Sequence, residues 1–112
     1  MSATVGVELS PPVSEIIRRV VACANPDKIV LFGSHARGTA RPDSDVDLLV
    51  IMPVSGSRRR QAVAIEKSLI GVDLPVDVLL VTPEEERRYR TVPGTIIRPA
   101  LDEGMVVYER RS

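Results

Sequence analysis

Apolar and polar positions along the 112-residue chain switch between a helical and a strand period. Val13, Ile16, Ile17, Val20, Val21 and Ala24 recur at three- and four-residue spacing behind Ser10-Pro11, the stripe of an amphipathic helix that Asn25-Pro26-Asp27 ends. Lys28 to Gly33 predicts a first strand. Val46 to Met52 is apolar on both faces, as in a central strand covered on each side, and Pro75 to Val81 predicts a third. Between the last two, after the turn-forming Pro53 to Ser57, Arg58 opens a helix through Ala62, Ile65, Glu66 and Leu69 to a Gly71 stop. That crossover is long enough for strands two and three to lie side by side and parallel, with a right-handed connection. Thr82-Pro83-Glu84-Glu85 is a capping box for a short charged helix through Arg87, Arg88 and Arg90, broken by Thr91 to Gly94. Ile96, Ile97, Ala100 and Leu101 form the face of a last helix, delayed or kinked by Pro99 and stopped at Gly104, and Met105 to Tyr108 is a final strand. The expected fold is α/β (α+β), a small mixed β-sheet flanked by helices. Residues 1–112 are read as a single domain, with residues 1–10 as a flexible start.

Composition narrows the function. Fifteen basic residues balance fifteen acidic ones, so no global field draws the chain to nucleic acid or an anionic membrane, and no direct nucleic-acid partner is expected. No apolar run approaches the roughly 20 residues of a membrane span, and the start lacks the basic-then-apolar layout of a secretion signal. The single Cys23 excludes an internal disulfide and a cysteine-based zinc site, and a cytoplasmic location is expected. Cys23 reads as a small buried hydrophobe, and Tyr89 and Tyr108 as packing or surface residues. Arg18 and Arg19, off the helix stripe, read as a solvated face. Arginine at all three of positions 58–60 opposes the helix dipole, which hints at a phosphate or acidic partner beside the plainer reading of a solvated start.

The chemistry concentrates in Leu31 to Ile51. Asp45 and Asp47 straddle Val46, so on a strand they share one face. Two adjacent carboxylates repel unless something positive holds them, and hard oxygen donors favour Mg²⁺ or Mn²⁺. Asp77 interrupts an apolar strand, where an acid needs a partner, a proton or a metal; parallel strands would bring it beside Asp45 and Asp47. Gly33 permits close backbone approach, and Ser34 begins a turn whose N–H groups, if it winds into a short helix, would suit phosphate oxygens. Arg37 and Arg41 flank that turn, placed either to neutralise phosphate or simply at the surface. His35, the only histidine, has no second ligand at metal spacing and reads as a turn residue.

Gly33-Ser34, ten intervening residues, Asp45-x-Asp47 and the later Asp77, within the fuller strings Gly33-Ser34-His35-Ala36-Arg37-Gly38 and Ser44-Asp45-Val46-Asp47-Leu48, resemble the nucleotidyltransferase superfamily of DNA polymerase beta. The whole chain looks like its smallest members, the minimal nucleotidyltransferase (MNT) domain proteins. The resemblance implies that Gly33 and Ser34, with Arg37 beside them, hold the triphosphate of ATP. It further implies that Asp45 and Asp47 bind two Mg²⁺ ions, and that Asp77 binds the catalytic metal and helps deprotonate the attacking hydroxyl. It also implies a partner, because MNT proteins are commonly paired with helical HEPN-family toxins as antitoxins, some by transferring AMP to a toxin tyrosine. An antitoxin acting by binding alone, and adenylyl transfer to a small molecule or an RNA end, are the alternatives; an oligomer is compatible with all of these.

Overall fold

The computed structural model describes residues 9–41, 43–91 and 103–110. Its elements are α1 (Pro11–Ala24), β1 (Lys28–Phe32), α2 (Ser34–Arg37), β2 (Val46–Ile51), α3 (Arg58–Ser68), β3 (Val76–Val81), α4 (Pro83–Thr91) and β4 (Met105–Glu109). They follow the expected order to within a residue or two at most ends; the helix expected over Ile96 to Leu101 lies outside the described residues. The strands form one mixed sheet in the order β3-β2-β1-β4. β1 is antiparallel to both β2 and β4, whereas β2 and β3 are parallel, joined by the α3 crossover.

Strand alternation divides the sheet into two faces. On the first, Ile29, Leu31, Val46, Leu48, Val50 and Leu80 meet the α1 stripe of Val13, Ile16, Ile17 and Val20, together with Ile65 and Leu69 from α3 and its C-terminal cap. The second face carries Val30, Leu49, Ile51 and Val81, with Phe32, Leu79, Val106 and the α4 residue Tyr89 packed alongside. Both faces of β2 are therefore buried beyond Asp47, as its apolar run from Leu48 to Ile51 requires.

Polar ties hold the helices in place. Lys28, on the second face of β1, pairs with Glu86 of α4 at 2.7 Å, and both side chains are nearly buried. Removing one member of a pair this sheltered leaves the other charge without its countercharge. Glu86→Ala is expected to lower the unfolding free energy by about 3 kcal/mol, read from urea denaturation, and a loss of only a few tenths would show the pair to be incidental. The capping box forms as expected, with Thr82 N–H donating to Glu85 Oε1 at 2.9 Å and Glu85 N–H to Thr82 Oγ1 at 3.1 Å. The α1–α3 contact is closed by Arg19, which donates to the Ile70 carbonyl at 2.8 Å beside its bond to Glu15. Arg19 is thus less a solvated residue than a cap for the end of α3.

One expectation fails here for an identifiable reason, and one open question is partly answered. Cys23 is exposed, because it falls off the buried stripe of α1; its thiol lies 3.6 Å from the Ala64 carbonyl. The arginines opening α3 need no outside anion to explain the first of them. Arg58 makes a two-pronged bond to Glu85 at 2.8 and 2.9 Å and also donates to the Leu80 carbonyl. That fork, with the capping bond from Thr82, holds the Glu85 carboxyl below its ordinary range.

Candidate active site

The parallel register of β2 and β3 places Asp47 directly beside Asp77. Neighbouring strands lie about 4.8 Å apart, so the two carboxylates are adjacent. Asp45 lies one residue before β2, near enough for its charge to act on Asp47. Asp47 and Asp77 continue the line of Leu49, Ile51, Leu79 and Val81, which puts them on the second face, away from α1 and α3. They stand where β2 and β3 begin and β1 ends, since Phe32 is paired with Asp47.

Gly33 follows Phe32 directly, and its backbone explains its residue type. It has φ 76° and ψ −155°, a conformation essentially reserved for glycine. A Cβ at this position would collide with Asp47 Oδ2. The sequence suggested that glycine here admits a ligand; in the fold it first admits the Asp47 carboxylate. The chain then turns into α2, whose single turn is closed by the Ala36 and Arg37 N–H groups donating to the Gly33 carbonyl at 3.1 and 3.2 Å. The N–H groups of Ser34 and His35 head this turn and have no intrahelical acceptor. The short helix expected over Ser34 to Arg37 is therefore present, beside the acids.

Asp47 carries the electrostatic strain of the site. Its pKa is raised, first by burial and then by the negative charges of Asp77 and Asp45, with His35 and Arg37 pulling the other way. These are the side chains whose fields converge at one point. Asp77, by contrast, is exposed. The sheet order accounts for the difference: β3 is an edge strand, and the desolvation falls on the central-strand Asp47 instead. Arg37 is exposed and close enough to be felt by Asp47, while Arg41 is exposed on the loop beyond.

The donor set fits a hard divalent cation, being made of carboxylate oxygens with excess negative charge and an unfavourably placed Asp47. Among the described residues no three acidic, histidine or cysteine side chains are already gathered into a metal cage. Mutual repulsion separates carboxylates that a cation would draw together. His35, in the α2 turn as the sequence suggests, also reaches the loop before β2: its Nε2 lies 3.0 Å from the Ser44 carbonyl, next to Asp45. Only the fold shows this contact, which joins residues nine apart in the sequence.

The described residues form an α+β domain whose four-stranded mixed sheet carries Asp47 and Asp77 side by side next to a glycine-serine turn. The chain belongs to the nucleotidyltransferase domain family, which matches residues 13–105. Its fold is similar to the crystal structure of a "putative nucleotidyltransferase" from Sulfolobus solfataricus, with a TM-score of 0.55, 19% identity, and coverage of 85% of this chain and 75% of that one. A search of curated proteins gives no match. No described helix is long and apolar enough to cross a membrane.

Proposed function

We propose that this nucleotidyltransferase transfers AMP from ATP to a hydroxyl, a tyrosine of a partner HEPN-family toxin, and thereby acts as its antitoxin. The observation that carries the transferase chemistry is the alignment of Asp47 with Asp77 across two parallel strands, beneath the turn at Gly33. The protein target and the antitoxin role rest on the resemblance of the Gly33 to Leu48 motifs to MNT domains.

In this reading the Ser34 and His35 N–H groups and the Arg37 guanidinium orient the triphosphate. Asp45 and Asp47 would hold two Mg²⁺ ions, and Asp77 would serve one of them. Bound there, the ions would supply the positive charge that acidifies the attacking hydroxyl and offsets charge on the departing pyrophosphate. The acceptor oxygen bonds to the α-phosphorus as the bond from that phosphorus to the bridging oxygen breaks. Pyrophosphate leaves, and Asp77 takes the hydroxyl proton.

The test is transfer of label from α-labelled ATP to a co-purified helical partner in the presence of Mg²⁺, with mass analysis of the modified residue. The expected result is a single added AMP with the wild-type protein and none with Asp45→Asn or Asp47→Asn. Stable partner binding by wild type and both variants, with no label in any of them, would replace this reading with an antitoxin that acts by binding alone.

A further inference from the structure

The loop entering β2 is fixed at few points, and those points bracket Asp45. Ser44 N–H donates to the Arg41 carbonyl at 3.0 Å, and Ser44 Oγ accepts from Arg41 N–H at 2.8 Å, closing a small turn. The Ser44 carbonyl faces away from that turn to His35 Nε2 at 3.0 Å. On the other side of Asp45, Val46 N–H donates to the Pro75 carbonyl at 2.9 Å, beginning the ladder with β3. Asp45 is thus suspended between two anchored peptide groups. It is exposed, and no hydrogen bond of its own side chain holds it among the described residues. Its aim depends on the backbone, and the anchor on the α2 side is His35.

We propose that His35 is a positioning residue: by donating its Nε2 hydrogen to the Ser44 carbonyl it fixes the peptide that aims Asp45, and so sets the affinity of the site for its divalent cation. The inference rests on the metal-binding reading above. A carbonyl acceptor requires the Nε2–H tautomer. His35 therefore acts as a donor through this nitrogen and does not ligate the cation with it. The same bond ties the phosphate-facing turn to the acids, so that the two halves of the site move as one.

Mn²⁺ titration of the full chain, followed by electron paramagnetic resonance, tests this without an activity assay. Partners one step removed from a metal typically change its affinity 10–100-fold. His35→Leu should therefore weaken Mn²⁺ binding by about tenfold or more, while His35→Gln, which keeps an N–H donor at comparable reach, should stay within about threefold of wild type. Asp45→Asn and the His35→Leu/Asp45→Asn double variant should bind equally weakly, because the histidine acts through the aspartate. Melting curves of each variant establish that the titrated protein is folded. Wild-type affinity in folded His35→Leu, equal losses in His35→Leu and His35→Gln, or additive losses in the double variant would each overturn the proposal. Absence of Mn²⁺ binding by the wild type would instead remove the metal reading itself, and this inference with it.

Discussion

Asp47→Asn is expected to abolish nucleotidyl transfer while making the fold more stable. The loss follows from removing the carboxylate at the centre of the cluster. A cation contributes several kcal/mol to such a reaction, and each 1.36 kcal/mol is a factor of ten, so the rate should fall by about 10³ or more. The gain in stability follows from the same placement. Like charges directly opposite on neighbouring strands cost up to about 1 kcal/mol, and Asp47 is opposite Asp77 while also partly buried. A rise in Tm of roughly 2 to 6 °C is expected.

The sign with pH is fixed by the direction of the shift. A carboxyl whose pKa is raised on folding penalises the folded state when ionised and ceases to do so once protonated. The stability difference between Asp47→Asn and wild type should therefore be full at neutral pH and shrink as pH falls through the raised Asp47 pKa. Thermal melts at a series of pH values read this directly. A variant less stable than wild type at neutral pH would mean that Asp47 is a structural rather than a functional acid.

The second large effect belongs to Gly33→Ala. Its backbone lies where a side chain costs about 1 to 3 kcal/mol, and the new methyl group would strike Asp47 Oδ2 and lie 3.3 Å from Asp47 Cγ. Together these should cost about 3 kcal/mol or more, a fall in Tm on the order of 10 °C, with transfer lost because Asp47 must move. The two causes separate in a double-mutant cycle. In an Asp47→Ala background the collision is gone and only the backbone cost remains, so the penalty of Gly33→Ala should shrink. An unchanged penalty would assign all of it to the backbone and leave no steric link between glycine and acid.

The parts of this site legible in the sequence are those set by local periodicity. Asp47 lines up with Leu49 and Ile51 because side chains alternate along a strand, and α2 begins at Ser34 because Gly33 ends the strand before it. The capping box of α4 is likewise a matter of four consecutive residues. What escaped the sequence depends on sheet order and long-range contact. Asp77 is exposed because β3 is an edge, which no window around Asp77 records. Arg58 finds Glu85 across 27 residues, and Gly33 is required by a carboxylate that arrives on a different strand. The role argued for His35 belongs to the same class, since the Ser44 carbonyl it meets becomes its neighbour only after β2 pairs with β1.

The central claim is that these three aspartates and the Gly33-Ser34 turn hold one metal-bound nucleotide. The most direct measurement is a crystal structure grown with Mn²⁺ and a non-hydrolysable ATP analogue, with the metal located by its anomalous signal. The account predicts manganese between Asp45 and Asp47, Asp77 within reach of it, and the triphosphate at the Ser34 and His35 N–H groups. Manganese or nucleotide bound away from these residues, at concentrations that saturate the protein, would contradict it.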